Sequence, residues 1–344
     1  MILFAFQTQW FLVLQISIVE RTLQSLHSKV WKLYFLGKYL YSVMFFAHEG
    51  MNKRAKNALA SRLMQSVTIL VSLFIFVMIF VLLLKSEPLL ASKPIFELLF
   101  SSSWHPSRGE FGFYPFIIGT LTVTCIAMLI ALPICFLAAI YVAEYATGRI
   151  RAVVNSMIDL LAGVPSVVIG VWGVLAIVPI IKVVGIAAGQ ATTGYSVLAG
   201  GIVLAIMVFP SIISVSQEVL RSVPVSMREA SFALGATKWQ TVKHVVVRKS
   251  LPGIIAAMIL GFSRAFGETI AVLMVVGNVP RIPSSIFQPA YPLPALIANN
   301  YEDVMSIPLY DSALLFAALL LLLVVAGFTL FGRLVLVRLQ RRSV

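Results

Sequence analysis

The stretch VPVSMREASFALGATKWQTVKHVVVRKSLPGI, residues 223–254, separates two long apolar runs and reads as two short helices joined by a tight turn. Pro224 suits the first turn of a helix, where its missing N–H would have no intrahelical partner anyway. Met227 to Leu234 continues that helix, and Gly235 stands where a left-handed residue would end it. Thr237 then opens a second helix, with Gln240 three positions on to complete a capping box. Phe232 and Leu234 are expected on the exposed side, beside Arg228 and Glu229. An apolar tip on a basic loop is either a plain amphipathic connector or a knob for a soluble partner.

The flanks of this loop define the class of protein. The chain has 344 residues, 60% of them hydrophobic and only 11% charged, where a soluble domain carries roughly 25% charged residues. Apolar runs long enough to cross a bilayer are expected at 67–84, 116–142, 160–181, 197–218, 253–276 and 313–337. The fold class is therefore an all-α integral membrane protein with six core transmembrane helices. Pro133 and Pro210 interrupt two of the runs, and the third contains Gly163, Pro165, Ser166 and Gly170.

Lys and Arg number sixteen in the segments 51–66, 149–151, 221–249 and 333–342, but only five in the alternate segments. That bias places both ends of the six-span core in the cytoplasm. It also accounts for the net charge of +13 through membrane lipid and topology, with no nucleic acid. Cys125 and Cys135 lie ten residues apart on one run, about 15 Å along a helix, too far for a disulfide. The segments 86–113 and 278–312 are polar or proline-rich and suit surface caps or short re-entrant pieces.

Residues 1–50 stand apart. Ile2–Val19 is apolar yet carries Gln7, Gln9 and Gln15, and no basic region precedes it as in a secretory signal. It reads as a seventh span, an interfacial helix, or an upstream extension with translation starting at Met51. The last is preferred, with 51–344 as the transmembrane domain.

Glu229-Ala230-Ser231, followed by Gly235 six residues after the glutamate, resembles the EAA loop of permease subunits in binding-protein-dependent ABC importers. Ser231 replaces an alanine of that pattern, and Arg248 stands where a proline is usual. LLAGVPSVVIGVWG (160–173), SRAFGETIAVLMVVGN (263–278) and LIANNY (296–301) further resemble phosphate-importer permeases of the PstC type. The resemblance runs from about residue 60 to 340. It implies a type I ABC importer fold, with Glu229, Ala230 and Gly235 in an ATPase-coupling loop. It also implies a PstA-like second permease, a PstB-like ATPase dimer and a PstS-like phosphate-binding protein. No cofactor is implied. The chain has no GxxxxGK[ST] phosphate loop, so ATP hydrolysis would belong to a partner.

Arg264 and Glu268 fall mid-run within 253–276. Charges near a bilayer centre are expensive and usually functional. On a continuous helix, residues i and i+4 share a face, so the two are expected to touch. Either they form a structural ion pair or they meet the anion in transit. Arginine offers donors that match phosphate oxygens. A glutamate would accept from the P–OH of phosphate and repel sulfate, which has no such proton. Asp159, at the cytoplasmic end of the third run, is expected to be an interfacial residue or a partner for a loop arginine rather than a ligand. A secondary transporter would show repeated halves, which are not evident here. A membrane enzyme would need clustered His, Asp or Glu, yet His27, His48, His105 and His244 all lie outside the spans. A permease for another oxyanion, such as sulfate or molybdate, is the nearest competitor.

Overall fold

A computed structural model describes residues 53–301 and 309–342. The expected extension over 1–50, and with it the expected start at Met51, lies outside the described residues. The chain divides into two compact units, the first ending at Val77 and the second beginning at Met78, which are described separately.

Helix α1 (Lys53–Ser92) supplies the described part of the first unit. There the hydroxyls of Ser66, Thr68 and Ser72 donate to carbonyls three or four residues earlier, at 2.8–2.9 Å. Such self-satisfaction lets hydroxyls sit on an apolar helix.

The second unit is mostly helical, with one hairpin of two-residue strands among its described residues. Helix α2 (Ile95–Phe100) leads into β1 (Trp104–His105) paired antiparallel with β2 (Glu110–Phe111). Helix α3 (Tyr114–Ile140) runs through Pro133 and ends in a π-helical turn, Tyr141–Tyr145. Helix α4 (Gly148–Gly163) stops at Val164–Pro165, and α5 (Ser166–Trp172) continues through a π-helical turn into α6 (Val178–Ala187). Helix α7 (Val197–Arg221) is continuous through Pro210. Helices α8 (Val225–Ala233) and α9 (Lys238–Thr241) precede α10 (Val247–Gly267), which is continuous through Pro252. Helices α11 (Ile270–Val275), α12 (Leu293–Asn300) and α13 (Tyr310–Arg342) complete the chain.

Among the described residues six helical stretches have the length and hydropathy of membrane spans: Asn57–Ser92, Tyr114–Tyr145, Ser166–Ala187, Val197–Arg221, Lys238–Gly267 and Tyr310–Arg338. Two differ in kind from the runs read off the sequence. The third begins at Ser166, because Pro165 cannot donate the bond that would carry α4 onward. The fifth ends at Gly267, nine residues short of the expected Val276.

The core lies where α3, α7 and α10 meet, around Met128, Ala131, Leu204, Ile212 and Ile254. Between lipid-embedded helices the attraction comes from close packing rather than from expelled water. A Cβ on Gly261 would stand 2.6 Å from Ile212 Cδ1, and one on Gly170 would stand 2.7 Å from Met274 Sδ. Both glycines are therefore places where helices approach closely. At the end where α3 begins, Phe113, Phe116, Tyr291 and Leu293 form a second core with α12 and α13. Thr120 Oγ1 there donates to Phe116 O and accepts from Leu293 N at 2.8 Å, fixing the start of α12. Asn299 and Asn300 both donate to the Tyr291 hydroxyl, at 3.2 and 2.8 Å.

Candidate functional site

Arg264 and Glu268 do not pair. Helix α10 ends at Gly267, and Glu268 leaves it in an extended conformation (φ −75°, ψ 122°). With Glu268 off the helix, the i and i+4 positions no longer share a face. This corrects the expectation of contact on a continuous helix. Arg264 instead reaches across to α7, donating from Nη1 to Ser211 Oγ at 2.6 Å. Its side chain is exposed, and Glu268 is half-buried. Among the described residues the Glu268 carboxylate has no hydrogen-bond or ion-pair partner.

The rest of α10 explains why Arg264 points where it does. On the opposite face Phe262 stacks on Phe328 of α13 and Phe266 packs on it at a tilt, with centroids 6.2 and 4.8 Å apart. Ser263 shares a hydrogen bond of 3.1 Å with Thr329. These contacts fix the rotation of α10 and leave the guanidinium on its free side. A helix broken inside an apolar run leaves backbone groups that lipid cannot satisfy, so the break must face protein or a wet cavity. The local signal for it is weak: Gly267 and Thr269 are poor helix formers, but Glu268 between them is a good one.

The loop after α7 takes the shape its residues demand. Helix α8 begins after Pro224, which sits at its cap position. Gly235 adopts φ +80°, with open space around the missing Cβ. Its N–H donates to Phe232 O at 2.9 Å and that of Ala236 donates to Ser231 O at 3.2 Å. Thr237 Oγ1 accepts from Gln240 N, and Gln240 Oε1 accepts from Thr237 N, closing the capping box. Leu234 is 90% exposed, and Phe232 and Trp239 about half. Glu229 and Ala230 are also exposed.

Arg228 departs from its expected place beside them. It turns inward to Glu144, with Nη2 to Oε1 at 2.7 Å and Nε to Oε2 at 3.4 Å. The two side chains are only 17% and 10% exposed. The same guanidinium donates to Leu220 O at 2.9 Å and to Val223 O. Glu144 lies in the π-helical turn that ends α3, whose carbonyls at Val142 and Ala143, with that of Ala146 just after it, accept from Arg151 at 3.1–3.2 Å. Lys238 stands 4.5 Å above the Tyr145 ring. The end of α3 is thus a hub to which α4, α8 and α9 are all tied. The sequence places Arg151 only among the loop charges and Arg228 on the exposed side of its helix, and nothing local marks Glu144 as their common anchor.

Asp159 is exposed and has no ion-pair partner among the described residues, so of its two expected roles the arginine partner is not seen. Cys125 and Cys135 are both free. No three His, Cys, Asp or Glu side chains among the described residues gather into a metal-binding group.

Among the described residues, six helical stretches of membrane-spanning length with a helical loop outside them are the frame of a membrane transport component. The chain belongs to the binding-protein-dependent transport system inner membrane components, whose family model matches residues 135–343. It is 36% identical over 259 residues to the phosphate transport system permease protein PstC of Xylella fastidiosa (strain 9a5c), covering 71% of this chain and 79% of that one. It is 42% identical over 206 residues to the probable ABC transporter permease protein YqgH of Bacillus subtilis (strain 168), covering 59% and 65%. In fold it is similar to a chain of a bacterial alginate ABC transporter crystallised with an alginate pentasaccharide-bound periplasmic protein. That likeness has a TM-score of 0.56 at 14% identity and covers 80% of this chain and 94% of that one.

Proposed function

We propose that this chain is the permease subunit through which an ATP-driven ABC importer moves inorganic phosphate across the plasma membrane. The observation that carries the reading is the break after Arg264. A permanently charged guanidinium and a free carboxylate flank the end of a membrane helix, with no partner for each other. Arg264 has donors left over after Ser211 and offers them to phosphate oxygens. Glu268 accepts from the P–OH that phosphate retains and repels anions that lack one.

The likeness to phosphate permeases supports the substrate. The exposed Phe232, Leu234 and Trp239 form an apolar tip that suits the cleft of an ATPase subunit, with Glu229, Ala230 and Gly235 shaping it. On this reading a PstB-like ATPase dimer docks from the cytoplasm, where the C-terminus also lies. A PstA-like permease completes the pathway, and a PstS-like protein delivers phosphate from the other side. Phosphate uptake by the whole complex in proteoliposomes, with sulfate and molybdate as competitors, tests this. Uptake driven by ATP and unaffected by the competitors is expected. Preference for sulfate or molybdate would transfer the reading to that oxyanion.

A further inference from the structure

Ser211, which holds Arg264, begins a polar stripe on an otherwise apolar helix. Ser214, Gln217, Glu218 and Arg221 follow it along α7 at spacings of three and four residues, within about a third of the helix circumference. Ile212 and Leu220, on the other side, are packed into the core. From Ser214 onward, about one turn beyond Ser211, the stripe lines a cleft of about 280 Å³, whose far wall is Asn155, Ile158 and Asp159 of α4.

The cleft is chemically unfinished. Gln217 lines it and is only 5% exposed, yet its Nε2 has no hydrogen-bond partner. Its Oε1 is engaged, accepting from Arg221 Nη2 at 3.4 Å. A buried amide N–H left unpaired costs on the order of 1–3 kcal/mol, so the site calls for an acceptor. The carboxylates of Asp159 and Glu218 line the same cleft and have no partner among the described residues. One guanidinium and two carboxylates give a net negative charge, which a fully ionised anion would not tolerate. A metal cation fares no better, because Arg221 and the Gln217 amide present donors. The set matches an anion that both accepts and donates. Dihydrogen phosphate has two oxygens to accept from Arg221 and Gln217 and two P–OH groups to donate to Asp159 and Glu218.

We propose that this cleft between α4 and α7 is a second station for the transported anion, and that it takes phosphate in its singly charged, doubly protonated form. The proposal rests on the phosphate reading above and places Ser211 between the two stations, with Ser214 at the mouth of the second.

The test uses the complete importer with its binding protein, in vesicles of phosphatidylcholine alone and in vesicles that also contain phosphatidylglycerol. Radiolabelled phosphate uptake per assembled complex and ATP hydrolysed per phosphate are read. Failure of the wild type to take up phosphate would overturn the phosphate reading and the station together. Gln217→Leu removes the unpartnered donor from a site where an apolar residue fits, so the complex should still assemble. Uptake should fall about tenfold while more ATP is spent per phosphate. Asp159→Asn combined with Glu218→Gln, at exposed positions where folding is not at risk, should lower uptake similarly. It should also flatten its dependence on pH. Wild-type rates and pH dependence in the variants that assemble would overturn the station and leave the phosphate reading standing. A lipid headgroup as the occupant would also overturn it. Its sign would be a Gln217→Leu effect confined to the phosphatidylglycerol vesicles.

Discussion

Arg228 and Glu144 stand 84 positions apart in the chain and meet in a buried, two-point ion pair. Arg264 and Glu268 stand four apart and do not touch. The first pair is completed by the carbonyls of Leu220 and Val223, so every part of the guanidinium faces a partner. The second leaves a guanidinium with one hydroxyl and a carboxylate with nothing. Burying a charge is tolerable only when it is paired and hydrogen-bonded. The satisfied pair therefore belongs to the framework and holds the loop to the bundle. On the proposed reading, the unsatisfied pair belongs to a site whose remaining partner arrives and leaves.

Breaking each pair should give effects of different kind. The largest is expected at Arg264→Gln. Phosphate uptake should fall about a hundredfold, the scale of a lost charge-assisted contact of about 3 kcal/mol, with the amount of assembled complex unchanged. Exchanging the residues, Arg264→Glu with Glu268→Arg, should not restore it. Substantial uptake by that swapped complex would mean the two act as a pair after all.

At the other pair, Arg228→Ala strands Glu144 and should cost about 3–5 kcal/mol of stability. The loss would be read as less assembled complex and a lower unfolding temperature. Arg228→Met combined with Glu144→Met should recover much of it, because matched apolar residues avoid the desolvation cost. Equal stability of the single and double variants would show that the bond does not anchor the loop.

Gly235→Val lies between the two regions in character. It forces a β-branched residue to φ +80°, a strain of about 1–3 kcal/mol. The chain should insert and fold, but co-purify poorly with the ATPase. Normal uptake by this variant would remove the turn from the coupling apparatus. Glu268→Gln should have a smaller effect on rate than Arg264→Gln. Its mark should be in selectivity, with sulfate competing more effectively against phosphate.

The smallest effect concerns the hairpin β1–β2. Glu110 accepts from the Ser103 hydroxyl and lies 3.2 Å from His105 Nδ1. The Ser103 bond, helped by His105 and Arg108, holds its carboxyl below the usual carboxylate range. A depressed folded-state pKa gives stability that is present above the ordinary carboxylate pKa and lost as pH falls through the folded value. Both side chains are well exposed, so screening keeps the contribution small. Acidification should shift the emission of Trp104, which packs on Phe111 at 5.7 Å, without disturbing the spans. A pH-invariant emission would show that the hairpin does not depend on Glu110.

Much of this architecture was legible in the chain. Apolar length marked the membrane helices, because lipid requires every backbone group to be satisfied within a continuous helix. The turn at Gly235 and the capping box at Thr237 and Gln240 were legible because both are closed by residues within a few positions of each other. Arg264 was also legible, since a charge inside an apolar run needs a reason. What local pattern could not provide was its partner. The apolar pattern runs on past Gly267, whose local signal for a break is weak, and the end of the helix there is seen only in the fold.

The sequence by itself determined a helical membrane permease, its spans and its helical loop, because these depend on hydropathy and on bonds between near neighbours. The tertiary structure alone decided which charges are satisfied. It joined Arg228 to Glu144, tied Arg151 to the end of α3, separated Glu268 from Arg264 and left Gln217 unpaired beside Asp159. The physical reason is that the cost of a charge or an amide depends on its surroundings. In this bundle those surroundings are assembled from helices far apart in the chain.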